Sequence, residues 1–582
     1  MNKKFSWYFA ITSVAYVPIA CDVAMKLTAN ESIGYWLLMC VAFAVCALIF
    51  LMAYNTNVVM EYYPQGASTF ALAKENLNKY FAVVAAAGAM VDYLLTTVIM
   101  AIYFAYILEG LFAFTGLTVS ITCAILFIVA VLSYLKVRIH IKFIKFFTII
   151  FFILLFGLIG IVIYRNYNNL LNIPDFCLFN KPKDTIMKIF ITLKLFSYLT
   201  ICSIGFDSIR FKSSFQNESH ERVGVYRTAI IVSLIMVSVL MFAQYLNINP
   251  THTNNTLFQI MTTATKKQIF PLMTLIFISI VMFVATCSGF ALLPEFAREL
   301  AMDKFFPTLF KNSKDSFMFA QGIIITFILT CIITFISKGE IKILLEIYCI
   351  GAFISIGIGQ LAMFKKIEKP LPKYMSFLGA VISLLIVVMF CLAKFNSGAW
   401  IVLIAIFALS MFMLDLKRYY TGVDSDLELD SNKTLGVYGS KNTSIVIIAD
   451  MDLGIVPAVK YAYSISPDSR AVYVSSNLDE TNIMEEEWEK YFPEIPLVIL
   501  KNDKNDNVIK PIMKYIDLSR KNQVNGLITV VVPEYVPRAP FYMLFHRNYA
   551  FILRVLLGFK KGIITVSVPY FSNSKYRMRS SK

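Results

Sequence analysis

From Phe5 to about Leu416 the chain alternates long apolar runs with short charged loops; beyond that point the runs shorten and charge rises. A helix needs roughly 20 apolar residues to cross the hydrocarbon core of a bilayer. Twelve runs of that kind lie near 5–27, 33–54, 80–112, 118–135, 143–165, 186–210, 226–247, 269–293, 318–337, 341–364, 372–394 and 398–417. Their pattern predicts a transmembrane domain over residues 1–416 and a cytosolic domain over 417–582. In the second region, strand-like runs at Ser444–Ala449, Ala471–Val474, Leu497–Leu500, Leu527–Val532 and Ile563–Val568 alternate with helix-like ones at Ile455–Ser464, Asn482–Tyr491, Val508–Arg520 and Met543–Leu557. Alternation of that kind predicts a parallel sheet with helices on its faces, either a stabilising and dimerising module or a sensing one.

Composition agrees. Hydrophobic residues make up 58% of the 582 and charged residues only 15%, against about a quarter charged in soluble domains; mean hydropathy is +0.68. The net charge of +16 would suit a nucleic-acid binder, but loops on the cytoplasmic side of membrane proteins are rich in Lys and Arg. No nucleic-acid partner is expected. Basic residues gather in alternate loops: Lys136, Arg138, Lys142 and Lys145; Arg210, Lys212, Arg222 and Arg227; Arg298, Lys304, Lys311 and Lys314; Lys365, Lys366 and Lys369. This bias predicts a multi-pass protein of the cell membrane with both termini in the cytoplasm. The first run has no small-residue cleavage site and reads as a retained span. The ten cysteines fall mostly in apolar runs without metal-ligand spacing.

Transport chemistry is the natural candidate. Transporters built from inverted repeats place a broken helix at the same point of each half, where freed carbonyls bind ions. Span 1 carries Ser13-Val14-Ala15-Tyr16-Val17-Pro18 in its middle, and span 6 carries Cys202-Ser203-Ile204-Gly205-Phe206-Asp207. Five spans separate them, as a five-plus-five repeat requires; the alternative is a proline kink beside a packing glycine. Asp92 sits inside span 3, where a charge costs about 3 kcal/mol and needs a partner or a purpose. Thr96, four residues on, shares its helical face. A carboxylate and a hydroxyl on one face suit a hard monovalent cation, although Asp92 bonded to a buried Tyr for packing stays open. Asp207, and Glu346 with Tyr348, are weaker candidates; Asp22 and Lys26, at i and i+4, are expected to pair with each other. The four histidines lie outside the spans. No GxxxxGK[ST], GxSxG or HExxH pattern occurs, so no enzyme activity is expected.

The Ser13–Tyr16 tetrad, the Pro64-Gln65-Gly66 turn leading to Glu75-Asn76-Leu77, Val91–Thr96, and the stretch from Pro294 through Asp303, Phe305 and Pro307 resemble the KimA-type bacterial potassium importers. So do Pro511–Asp517, Ile528–Pro537 and Ser567–Tyr570 in the tail. That family belongs to the amino acid–polyamine–organocation superfamily with the LeuT fold. The resemblance implies an all-α membrane domain with a five-plus-five inverted repeat, followed by an α/β domain similar to universal stress proteins. It implies proton-coupled potassium uptake by a homodimer and inhibition by cyclic di-AMP. By the same resemblance, Tyr16, Asp92, Thr96, Asp207 and Tyr348 surround the ion, with K+ held at Asp92 and Thr96. Three positions depart from the family pattern: Phe9, Met100 and Ile204 stand where it has an aspartate, a serine and a threonine. A potassium or related monovalent cation importer is therefore the first expectation. A permease for an amino acid or other small organic solute is the second, and a transport-silent nucleotide-sensing membrane protein the third.

Overall fold

The computed structural model describes residues 6–112, 116–135, 184–206, 218–250, 255–264, 269–311, 316–393, 399–427, 442–475, 478–501, 508–521, 526–536 and 549–571, with the single positions 157, 160 and 179. The chain divides into two compact units, Met1–Glu428 and Leu429–Lys582.

The first unit is helical. Its described helices are α1 (Ser6–Glu31), α2 (Tyr35–Tyr62), α3 (Thr69–Asn76), α4 (Lys79–Phe112), α5 (Thr118–Tyr134), α6 (Thr185–Leu199), α7 (Glu218–Tyr245), α8 (Thr256–Ala264), α9 (Ile269–Met302), α10 (Ser316–Ile336), α11 (Ile341–Lys366), α12 (Pro370–Ala393) and α13 (Ala399–Leu427). Eight described stretches are long and apolar enough to cross a membrane. Every predicted run coincides with a helix except 143–165, which apart from the single positions 157 and 160 lies outside the described residues. Two short helices, α3 and α8, were not predicted; each occupies a connection, too short to register as an apolar run. The last helix of the unit continues past Leu416 to Leu427, so the rise in charge begins inside a helix rather than at its end.

The predicted helix breaks fare differently. After α6 the backbone tightens into a 3₁₀ turn over Thr200–Ser203 and then turns at Ile204 and Gly205. By contrast α1 is one helix with Pro18 inside it, so no break occurs at Ser13–Pro18. Proline removes one N–H and leaves a carbonyl one turn back without its helical partner; neighbouring helices keep such a helix intact in a bundle.

Close approach of backbones sets the centre of the bundle. A Cβ on Gly88 would lie 2.6 Å from the Gly351 carbonyl oxygen, and one on Gly351 would lie 2.9 Å from Val91 Cγ1. Helices α4 and α11 therefore cross through a pair of glycines, the usual solution where lipid supplies no hydrophobic drive between helices.

The second unit is a five-stranded parallel sheet in the order β3-β2-β1-β4-β5. Its strands are β1 (Asn442–Ile448), β2 (Asp468–Ser475), β3 (Leu497–Lys501), β4 (Leu527–Val536) and β5 (Ile563–Phe571). The connecting helices are α14 (Ile455–Ile465), α15 (Leu478–Tyr491), α16 (Ile509–Lys521) and α17 (Tyr549–Gly558). Successive strand residues point to opposite faces. Val446 and Val531 join Ala458 of α14 and Trp488 of α15 in one core. Ile445 and Val530 join Ile512 and Ile516 of α16 and Leu553 of α17 in another. Both faces are covered, which matches the predicted strand-helix alternation.

The glycine crossing yields a stability test. Gly88→Ala forces a methyl group against backbone and is expected to cost about 1–3 kcal/mol, lowering the melting temperature of the detergent-purified protein. Gly357→Ala meets only side chains, Ser383 Cβ at 3.3 Å and Leu384 Cγ at 3.4 Å, and should melt closer to the parent. Equal melting of the two variants would refute the tight α4–α11 crossing.

Candidate functional site

Asp92 and Thr96 lie one turn apart on α4, and both are buried. Thr96 Oγ1 donates to Asp92 Oδ1 at 3.2 Å. The Tyr16 hydroxyl of α1 shares a hydrogen bond with the same Thr96 Oγ1 at 2.6 Å. Because Thr96 spends its proton on Asp92, its lone pairs accept from Tyr16. The Tyr16 ring stacks on Tyr348 of α11, with centroids 5.3 Å apart and planes 21° from parallel. Four of the five predicted site residues thus converge from three helices. The fifth, Asp207, lies outside the described residues.

These four line one cavity with Tyr93, Ile204, Gly205, Ser288, Gly289 and Leu292. A water-sized sphere can move its centre through about 20 Å³ of it, against roughly 10–15 Å³ for a single water. The 3₁₀ turn after α6 supplies the wall at Gly205. A Cβ there would lie 2.6 Å from Ser13 Cα and 2.8 Å from Ser13 N, so only glycine lets this turn touch α1. The pair Ser288-Gly289 of α9 was missed in the sequence. Its signal was available: two small residues in a long apolar helix mark a close contact. Of the three departures from the family pattern, Ile204 faces the cavity, Met100 is buried but not among the lining residues, and the side chain of Phe9 lies outside the description.

Other acids found different partners from those expected. Glu346 is buried and accepts from the Tyr198 hydroxyl of α6 at 3.0 Å. Asp22 does not pair with Lys26. Its oxygens accept from the Tyr103 hydroxyl of α4 at 2.6 Å and the Thr256 N–H of α8 at 2.7 Å. Asp22 faces the protein interior, where α4 and α8 deliver donors, whereas Lys26 is only half-buried. At the other end of the bundle, Ser68 donates to Glu299 at 2.6 Å, Lys74 pairs with Asp303 at 2.6 Å, and Phe70 meets Phe305 edge-on at 5.5 Å. Polar layers thus close the bundle on both sides of the cavity.

Comparison with known proteins gives three findings. Residues 6–414 match the amino acid permease family. Residues 440–570 match the C-terminal domain of the KimA potassium transporter. Over 575 residues the chain is 22% identical to the potassium transporter KimA of Bacillus subtilis (strain 168), covering 96% of this chain and 93% of that protein.

Removing the one ionised group of the cavity gives the sharpest test. Asp92→Asn is expected to weaken equilibrium binding of radioactive rubidium to the purified protein at least about tenfold, or 1.4 kcal/mol, with unchanged melting. Binding equal to the parent's would place any cation site elsewhere.

Proposed function

The chain belongs to the amino acid permease family, and on that premise we propose that it imports potassium by alternating access. One observation carries this reading: a buried carboxylate and a set of hydroxyls converge on a cavity about the size of one dehydrated monovalent ion. The likeness to KimA over nearly the whole chain, tail included, supports potassium as the ion.

In this reading Asp92 and Thr96 hold the ion, replacing part of its hydration shell. Tyr16 and the stacked Tyr348 close over it, and the family resemblance adds Asp207 as a fifth site residue. Twelve spans, ten of them in two inverted repeats of five, form the membrane domain, with both termini cytoplasmic; helices at eleven of the twelve predicted places support this arrangement. An organic solute would need a larger cavity and an exposed backbone for its carboxylate. In this chain α1 is unbroken and Ser13 is fully buried against Gly205.

Coupling to protons is part of the proposal. Phe9 cannot carry a proton, so the task passes to buried carboxylates such as Asp92 and Glu346. The tail, which we read as similar to universal stress proteins, serves in regulation and dimerisation, with cyclic di-AMP as its inhibitory ligand. An exposed apolar face on α17 and the edge strand β5, formed by Ile552, Val555, Leu556, Phe559 and Ile564, supports a homodimer formed through the tail, since faces of this kind mark interaction sites.

Growth of a potassium-uptake-deficient strain at low potassium, with rubidium uptake measured alongside, tests the reading. The chain should rescue growth, a protonophore should stop uptake, and Asp92→Asn should reduce it to background at normal membrane abundance. Good membrane expression without rescue would remove potassium as the substrate. The dimer has its own test: Phe559→Glu should shift the purified protein from dimer toward monomer by light scattering, and an unshifted mass would discard this face.

A further inference from the structure

Two polar rungs join α1 to α4. The lower one is Tyr16 to Thr96, at 2.6 Å, beside the cavity. The upper one is Tyr103 to Asp22, also 2.6 Å. Asp22 lies six residues beyond Tyr16 and Tyr103 seven beyond Thr96, which places the second rung about 10 Å further along both helices at 1.5 Å per residue. With the termini cytoplasmic, that direction is outward. The N-terminus of α8 caps this rung, its Thr256 N–H bonded to Asp22 at 2.7 Å.

The partners of this carboxylate among the described residues are all neutral. Lys26, one turn further out, attracts it without forming a contact ion pair. The carboxylate is buried about 10 Å from the cavity rung, with no counter-ion in contact among the described residues, an arrangement that marks ion pathways in membrane proteins. Two more polar side chains gather here: the Thr256 hydroxyl beside Asp22 and the Asn255 amide beside the Tyr103 hydroxyl, on residues that are 1% and 5% exposed. The Asn255 carbonyl oxygen is occupied, capping α8 through the Phe258 N–H at 2.8 Å. A helix amide is a weak substitute for a cation at a full negative charge, so α8 is held by a bond that an arriving cation can take over.

We propose that Asp22 is an outer station for the transported monovalent cation, and that α8 is the lid which the cation displaces from it. When α8 lifts, the carboxylate, the Tyr103 oxygen and the Thr256 hydroxyl present oxygens to the ion. When the ion moves on to Asp92, the Thr256 amide returns and closes the mouth. The proposal rests on the reading of the chain as a monovalent-cation transporter.

Hydrogen exchange of the full chain in nanodiscs tests it without requiring transport. The peptide spanning residues 255–264 is followed in rubidium chloride and in N-methylglucamine chloride at equal ionic strength. In the parent, rubidium should speed its exchange at least about threefold by opening the lid. In Asp22→Asn, exchange should be fast in both salts. Tyr103→Phe keeps the carboxylate but removes one of the oxygens that meet the ion, so half-maximal acceleration should need more rubidium; this variant serves if Asp22→Asn does not fold. Equal exchange of the parent in the two salts, or slower exchange in rubidium, would overturn the proposal and leave Asp22 as a fixed staple. Rubidium uptake by proteoliposomes separates the two readings: an active parent should show a KM raised about tenfold in Asp22→Asn, with equilibrium binding at Asp92 retained. An unchanged KM would also overturn the proposal. An inactive parent would defeat the transport reading, while the exchange result would still decide whether a cation binds at Asp22.

Discussion

A carboxylate deep in a bilayer-spanning helix costs about 2.5–3.5 kcal/mol even on lenient scales, and much of the bundle is arranged around that cost. Asp92 cannot reach solvent, so neighbouring helices bring hydrogen bonds to it. Thr96 donates from the next turn of the same helix, and Tyr16 completes the chain from α1. Each bond needs a helix at a fixed distance. The tight contacts at Gly88, Gly351 and Gly205 supply that, because a single methyl group at any of them would push backbones apart. Packing by small residues and solvation of one charge are therefore the same problem, solved together.

The same logic extends along the bundle axis. Going from one end to the other, carboxylates appear at three levels: Glu299 with Ser68, Asp92 with Thr96, and Asp22 with Tyr103. Each accepts a hydroxyl proton, and none of these three bonds is an ion pair. Neutral donors stabilise a charge without cancelling it, so the negative potential of the column survives for a mobile cation. The ion pair of Lys74 with Asp303 lies at the solvent-facing end with both side chains partly exposed, where a salt bridge contributes little but can be broken cheaply.

Much of this was legible in the sequence because hydrophobic run length and strand-helix alternation report directly on environment. The helices of the membrane unit and all five strands of the tail fall where the runs predicted them. Asp92 and Thr96 were readable as a pair, since i and i+4 share a face. What failed was local inference across tertiary contacts. Pro18 suggested a break in α1, but packing kept the helix whole. Asp22 and Lys26 looked like a pair by spacing alone, yet the carboxylate's partners come from residues 81 and 234 positions away. Ser288 and Gly289 carry no charge or aromatic ring to draw attention, and only the fold shows that they face the cavity. Short helices such as α8 are invisible to a search for bilayer-length runs, although α8 holds one of the central contacts of the molecule.

The loss of polar groups at Phe9, Met100 and Ile204 makes the charge balance of the site simpler. Among the described residues that line the cavity, Asp92 is the one carboxylate, set among hydroxyls, backbone and apolar groups. In a low-dielectric pocket a bound monovalent cation brings such a site to neutrality. An empty site leaves a net negative charge, and a divalent ion leaves a net positive one. Both are penalised by desolvation when the bundle closes. On the proposed reading, occlusion is thus most favourable with one monovalent ion held at Asp92. Additional acids at the site would demand further protons or ions to reach the same balance. On the proposed reading, the protonated and the cation-bound forms of Asp92 are alternatives at one group, and exchange between them is the least machinery that can couple a proton to a cation.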